Sequence, residues 1–275
     1  PTPERLADYV RPDEMHTAFN FDFLETHWIA ADLRESITRS LAATAAVGAP
    51  TTWVLSNHDV VRHPTRLALP QVGRRPNGIK ATDPQPDEAL GLRRGRAATL
   101  LMLALPGSAY LYQGEELGLP EHTTLPDEAR QDPTFFRHNG EVAGRDGCRV
   151  PLPWAADEPA MGFNKTGATW LPQPESYRRY AVDRQRGVPG STLEMYRAAL
   201  RLRKELRLGR GDLSWVDDAS DETVSFVTET PGGSVAVVTN LGREPVKAPA
   251  GEVLLSSGEL EDGQVPTDVT VWVRQ

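Results

Sequence analysis

The sequence has a single cysteine, Cys148, in 275 residues, so an internal disulfide is impossible. It also lacks an excess of positive charge, because its formal net charge is −8 at pH 7, and this argues against general attraction to nucleic acid or an anionic membrane. The most apolar stretch, residues 98–112, is too short to span a bilayer and is interrupted by Pro106 and Gly107. We therefore expect a cytoplasmic protein with no nucleic-acid or membrane partner.

Segments typical of strands and helices alternate in the first part of the chain. Alternating aromatic residues predict a strand in 16–24, and β-branched and apolar residues predict strands at 51–56 and 108–113. Apolar residues recur every four positions in 31–46 and predict a helix, and 91–105 also has the composition of a helix. This alternation predicts a parallel sheet covered by helices.

The rest of the chain contains regions of two different compositions. Residues 63–88 and 114–190 are rich in Pro and Gly and predict irregular structure, and a helix with a capping box is predicted over 191–206. Five short strand-like segments separated by turn residues come after Gly209, and they predict an antiparallel β domain. We place the boundary near residue 210, which gives domains at 1–210 and 211–275.

Polar side chains follow two of the predicted strands. Asn57, His58 and Asp59 come after the strand at 51–56, whereas Glu115 and Glu116 come after the strand at 108–113. The carboxyl ends of strands carry the chemistry in parallel β/α architectures. These residues therefore predict a functional site, and the alternative is that they only cap the loops.

Four motifs carry a resemblance to a known family. The segments FNFDFL, LSNHDVVR, GSAYLYQGEELG and GRDGCRVPLPW, in this order, resemble the second half of the α-amylase superfamily of glycoside hydrolases. The branch that they resemble most is the α-glucosidase and oligo-1,6-glucosidase group. The resemblance implies an α/β plus all-β fold: the C-terminal part of a (β/α)8 TIM barrel, with its sixth to eighth strands, followed by an antiparallel β-sandwich domain.

The resemblance also implies roles for the site residues. Asp59 would stabilise the oxocarbenium-like transition state of a glucose bound in the −1 subsite, and His58 would donate a hydrogen bond to a ring hydroxyl. Either Arg145 or Arg149 would close off the −1 subsite, so that the enzyme acts on chain ends. Arg62 is assigned to the substrate-binding site as an ion-pair partner, and the alternative is that it is purely structural.

Several neighbouring residues are expected to be structural. Asn57 is expected to support its turn, and Glu115 and Glu116 are expected to organise the turn after their strand. Cys148 is expected to be a small buried apolar residue. Trp154 is expected to pack rather than to stack on a sugar. We expect no cofactor and no metal ion.

A retaining glycosidase also needs a nucleophile and an acid/base. In the family, both of these carboxyl groups precede the segment that resembles residues 3–24. We therefore expect them, and the first five barrel strands, to lie upstream in a longer protein. The missing N-terminal half of the barrel would then be the partner of this chain, and the chain alone would be inactive.

The leading interpretation is an exo-acting, retaining α-glucosidase that hydrolyses α-linked glucose from malto- or isomalto-oligosaccharides. A related trehalose- or sucrose-converting transglycosidase is an alternative, and a hydrolase of a sugar phosphate is disfavoured because Lys80 and Lys165 are isolated. An alternative of another class is a non-catalytic interaction protein with the same fold, although the presence of His58 and Asp59 argues against it. The preference for 1,4 or 1,6 linkages is not readable from these residues.

Overall fold

The computed structural model describes residues 2–217 and 220–275. Its contacts divide the chain into two compact units, of which the first comprises Pro1–Leu55, Arg96–Tyr110 and Arg197–Gln275. The second unit comprises Ser56–Gly95 and Leu111–Tyr196. This division differs from the one predicted at residue 210, so the predicted domains remain a prediction.

The helices and strands are numbered here in chain order. The α-helices are α1 (Pro3–Ala7), α2 (Phe21–Glu25), α3 (Ala30–Ala45), α4 (His63–Ala68), α5 (Glu88–Ala104), α6 (Pro133–Arg137), α7 (Val182–Gln185) and α8 (Thr192–Glu205). The strands are β1 (Thr52–Val54), β2 (Ser108–Tyr110), β3 (Asp212–Trp215), β4 (Thr223–Thr230), β5 (Gly233–Asn240), β6 (Val246–Lys247), β7 (Glu252–Ser256), β8 (Gln264–Val265) and β9 (Val269–Arg274). Short 3₁₀ helices lie at Glu115–Leu117, Asp127–Ala129, Asp146–Cys148, Pro159–Gly162, Glu175–Tyr180 and Leu208–Arg210.

In the first unit, β1 and β2 form the predicted parallel pair, with Trp53 opposite Ala109. Gly107 makes this pairing possible, because its φ is +107° and a Cβ there would lie 2.2 Å from the carbonyl oxygen of Thr51. The strand predicted in 16–24 is wrong, since Phe21–Glu25 is a helix. The side chain of Asn20 accepts a hydrogen bond from the backbone N–H of Phe23 (3.1 Å), and this local cap competes with an extended backbone.

The predicted long helices are confirmed as α3, α5 and α8. Ser191 caps α8, accepting a hydrogen bond from the backbone N–H of Glu194 at 3.3 Å, while the Glu194 carboxylate accepts one from Gly187 N–H (2.8 Å). Tyr196 in this helix is buried, whereas Leu200 is 42% exposed. None of the helices in residues 2–217 and 220–275 is both long and apolar enough to cross a bilayer.

The five predicted C-terminal strands are confirmed. They form an antiparallel sheet in the order β3-β4-β5-β9-β7, and β6 pairs with β8 in a separate two-stranded sheet. The core of this region consists mainly of valines: Val238, Val265, Val269, Val271 and Val273. Regular ladders of backbone hydrogen bonds and β-branched side chains therefore build the sheet.

The second unit is largely irregular, as predicted for 114–190. The predicted loop at 63–88, however, begins with helix α4. The unit has its own apolar core, which includes Leu117, Leu119, Val150, Leu152, Met161, Tyr177, Tyr180 and Leu193. This core supports loops rather than a sheet, so their backbone groups form hydrogen bonds in local turns and with side chains instead of in a ladder.

Candidate functional site

The polar segment after β1 forms a tight turn. The side-chain oxygen of Asn57 accepts a hydrogen bond from the backbone N–H of Asp59 at 2.8 Å. This Asx turn ends the extended backbone and leaves the side chains of His58 and Asp59 exposed. The structure therefore confirms the predicted supporting role of Asn57.

Asp59 lies between two arginines. Its Oδ1 accepts hydrogen bonds from Nη1 of Arg145 (2.8 Å) and Nη2 of Arg149 (3.0 Å), and its Oδ2 lies 3.3 Å from Nε2 of His58. The carboxylate is still 40% exposed. Four of the five residues predicted for the site are thus brought together around one accessible carboxylate, and both arginines contact it.

The convergence of the two arginines has a local cause. Arg145 and Arg149 flank a single 3₁₀ turn, in which the backbone N–H of Arg149 donates to the carbonyl oxygen of Asp146 at 2.9 Å. Cys148 lies within this turn and is completely buried, as expected, and burial raises the pKa of its thiol to about 12. Cys148 is thus the buried part of the turn from which both guanidinium groups reach Asp59.

Sequence reasoning missed Asp132. Its side chain is completely buried and accepts three hydrogen bonds from Arg145: from the backbone N–H (2.8 Å), from Nε (2.6 Å) and from Nη2 (3.2 Å). Burial alone would raise the pKa of Asp132, but the hydrogen bonds from Arg145 and from the backbone N–H of Thr134 outweigh it and hold the pKa well below its ordinary value. Asp132 is therefore an anion at neutral pH and a fixed counter-charge for Arg145.

The sequence carried one signal for Asp132. An Asp followed by Pro133 is typical of a helix start, and Asp132 does cap α6, accepting from Thr134 N–H at 2.9 Å. That signal predicts a capping residue but gives no indication of its second partner, Arg145.

Arg149 connects the turn to an exposed aromatic residue. Its Nε donates to the carbonyl oxygen of His58 at 2.8 Å, and its own carbonyl accepts a hydrogen bond from Nε1 of Trp170 (3.0 Å). Trp170 is 52% exposed and packs edge to face with Phe163. Trp154 is 47% exposed, so the expectation that it packs stays a prediction.

Arg62 is buried, and its guanidinium donates to the carbonyl oxygens of Gln113 (2.8 Å) and Cys148 (2.9 Å). The same guanidinium lies 4.9 Å from the centroid of the Tyr112 ring. Of the two roles left open for Arg62, this geometry matches the structural one. This geometry gives no support to a substrate-binding role, because the positively charged group faces backbone carbonyls rather than solvent, and that role stays a prediction.

Glu115 and Glu116 organise the turn after β2, as expected. Glu115 accepts a hydrogen bond from Tyr112 N–H (3.0 Å), and Glu116 accepts one from Gly114 N–H (2.8 Å). These two acids lie in a short 3₁₀ helix. Burial raises the pKa of Glu115 to about 8, so this carboxyl group is neutral at pH 7.

The arrangement offers one accessible carboxylate surrounded by hydrogen-bond donors. A carboxylate held in this way can accept hydrogen bonds from hydroxyl groups and can stabilise a developing positive charge. Among the described residues, the other carboxylate joined to this cluster by side-chain hydrogen bonds is Asp132, which is buried. The cluster therefore presents one carboxylate to a ligand rather than a pair.

The chain matches known proteins over most of its length. Residues 3–211 match the family model described as the alpha-amylase catalytic domain. A probable alpha-glucosidase of Rhizobium meliloti (strain 1021) is 32% identical over 206 residues, which are 74% of this chain and 34% of that protein. Maltase A1 of Drosophila melanogaster is 29% identical over 236 residues, which are 82% of this chain and 36% of that protein.

A solved structure agrees with these matches. The alpha-glucosyl transfer enzyme XgtA superposes with a TM-score of 0.77 at 30% identity, over 99% of this chain and 49% of that one. The chain spans about a third of the length of the two curated relatives. The fold is consistent with part of a TIM barrel plus a β-sheet domain. The resemblance carried by the four motifs is thus confirmed, and the chain belongs to the alpha-amylase family.

Proposed function

We propose that this chain is the C-terminal part of an exo-acting, retaining α-glucosidase that releases α-linked glucose from malto- or isomalto-oligosaccharides. The observation that carries the proposal is the exposed carboxylate of Asp59, oriented by Arg145, Arg149 and His58. A carboxylate in fixed position beside a sugar stabilises the positive charge that develops at the anomeric carbon. The similarity to the probable alpha-glucosidase and to maltase A1 supports the same assignment.

Each residue has a distinct role in this proposal. Asp59 accepts hydrogen bonds from ring hydroxyls and stabilises the oxocarbenium-like transition state. His58 donates a hydrogen bond to a neighbouring hydroxyl. Arg145 and Arg149 hold Asp59 in place and close the −1 subsite, so that the chain end of the substrate is bound.

The nucleophile and the acid/base are proposed to come from outside this chain. In a retaining enzyme these two carboxyl groups lie about 5–5.5 Å apart on either side of the scissile bond. Asp132 is buried against Arg145, and the buried Glu115 accepts a backbone hydrogen bond, so the geometry supports neither as a partner for Asp59. We therefore propose that the remaining part of the barrel supplies both groups. The cytoplasmic location likewise remains a prediction.

Glucosyl transfer is the second candidate function. XgtA, whose structure matches 99% of this chain at 30% identity, is described as an alpha-glucosyl transfer enzyme. Transfer and hydrolysis share the step in which Asp59 would act and differ in whether a sugar hydroxyl or water attacks afterwards. The non-catalytic alternative is disfavoured, because a protein without catalytic function does not require an exposed Asp59 held by hydrogen bonds from two arginines.

The test is to incubate the full-length protein with an aryl α-glucoside and, separately, with maltose and isomaltose, and to separate the products by chromatography. We expect glucose as the main product, and longer or isomeric saccharides would identify a transferase instead. The 275-residue chain alone, assayed in parallel, is expected to release no aryl alcohol. Absence of any glycosidic cleavage by the full-length protein would refute the proposal and favour the interaction protein.

A further inference from the structure

Asp132 contacts Arg145 through three separate hydrogen bonds. It binds the backbone N–H, Nε and Nη2 of Arg145, and this leaves Nη1 directed to Asp59. The guanidinium is planar, so bonds to Nε and Nη2 on one edge fix the direction of Nη1 on the other. The position of the Arg145–Asp59 contact is therefore set by Asp132.

The backbone on both sides of Arg145 packs closely against Asp132. Gly144 precedes Arg145 with φ of +73°, and a Cβ there would lie 3.1 Å from two carbon atoms of the Asp132 side chain. Asp146 follows Arg145, and its Oδ2 accepts hydrogen bonds from the backbone N–H groups of Gln131 and Asp132, both at 2.9 Å. The two loops are thus joined on both sides of Arg145, which holds Asp132 in one place.

Asp132 also balances charge. Asp59, Asp132, Arg145 and Arg149 are joined by side-chain hydrogen bonds, and their two negative and two positive charges cancel. Each guanidinium is already paired with a carboxylate, so its positive charge is balanced before any ligand binds. A balanced cluster with one exposed carboxylate favours a hydroxyl-rich, uncharged ligand.

We propose that Asp132 is a positioning residue that fixes Arg145 against Asp59 and, by balancing its charge, makes the site select an uncharged sugar over a phosphorylated one. This inference deepens the proposed function and rests on it for the identity of the sugar. Replacing Asp132 by Asn would remove one negative charge from beside Arg145 and leave its guanidinium less constrained. The site would then gain affinity for phosphate and lose the geometry that stabilises the transition state.

The experiment compares the full-length protein with two variants, Asp132→Asn and Asp157→Asn. The second variant is a matched control, because it removes the same charge from an exposed pair with Arg184. Isothermal titration with inorganic phosphate is expected to show binding at least about tenfold tighter in Asp132→Asn than in either other protein. With an aryl α-glucoside, kcat/KM of Asp132→Asn is expected to fall about 10²-fold, mainly through kcat.

A third variant covers the case in which Asp132→Asn does not fold. Asp132→Glu keeps the charge but moves the guanidinium, so kcat/KM should fall while phosphate affinity stays that of the wild type. Equal phosphate affinity in a folded Asp132→Asn and in Asp157→Asn, or normal kinetics in Asp132→Glu, would overturn the inference. The phosphate titration needs no turnover, so it remains decisive even if the proposed glycosidase activity is refuted.

Discussion

The C-terminal sheet and the loops around Asp59 are stabilised by opposite means. In the sheet, β4 and β5 pair over eight residues, and their backbone groups satisfy one another in a continuous ladder. In the loops, buried arginines bind the backbone carbonyl groups instead, since Arg62 donates to two carbonyl oxygens and Arg130 donates to those of Leu125 and Ala143. Repeated pairing of backbone groups therefore holds the sheet together, whereas individual side-chain hydrogen bonds determine the shape of the site.

The largest expected effect on stability lies in the sheet region. Trp272 is completely buried, and its Nε1 donates to the carbonyl oxygen of Leu100 at 3.0 Å. Trp272→Ala should reduce the free energy of unfolding by about 4 kcal/mol, through lost burial and the cavity left behind. Urea denaturation measures this loss of unfolding free energy. The control is Trp272→Phe, which keeps an aromatic ring and should lose less stability. A loss below about 1 kcal/mol would show that the sheet does not depend on this core.

The corresponding change in the loops removes a charged group. Arg62→Met keeps apolar volume but removes the buried donor to the carbonyl oxygens of Gln113 and Cys148. We expect a loss of about 3 kcal/mol in the free energy of unfolding, because hydrogen bonds donated by a buried charged group are strong and both are lost. Arg184→Met, at an exposed ion pair with Asp157, is the control and should change stability by less than about 0.5 kcal/mol. Similar unfolding free energies of the two variants would show that the loops do not depend on the buried arginine, and the contrast with the sheet would fail.

A further effect concerns the dependence of stability on pH. Burial raises the pKa of Glu115 to about 8 from an ordinary value of 4.5, so the folded state keeps a proton that the unfolded chain has lost. This contribution to stability is fully present below pH 4.5 and is lost as the pH rises to about 8. Glu115→Gln removes the titration. The unfolding free energy of the wild type minus that of the variant should therefore decrease from pH 5 to pH 8. A difference that is constant over this range would contradict a buried neutral Glu115.

The same contrast explains which parts of the fold could be predicted. The strands from 212 onward were predictable because β-branched residues mark both their positions and their type. Helix α8 was predictable from its period and from Ser191. The strand expected in 16–24 was not formed, because the side chain of Asn20 starts a helix. Local hydrogen bonding decided that segment, and composition alone did not reveal it.

The site was predictable only in part. His58, Asp59, Arg145 and Arg149 were identified through family motifs, and the structure brings them together. Asp132 was missed because its contact with Arg145 depends on how two loops meet. The role of Arg62 was left open because a buried arginine and a ligand-binding one look alike in a sequence.

The central claim is that the carboxylate of Asp59 stabilises the transition state of a glucoside. The most direct measurement is the kcat of Asp59→Asn in the full-length protein with an aryl α-glucoside, because this substitution keeps shape and removes the charge. Arg145→Ala and Arg149→Ala, measured alongside, should reduce kcat/KM for short substrates. We predict that kcat of Asp59→Asn falls by about three orders of magnitude or more while the thermal unfolding midpoint stays close to that of the wild type. Near-normal turnover in the folded Asp59→Asn variant would contradict the account.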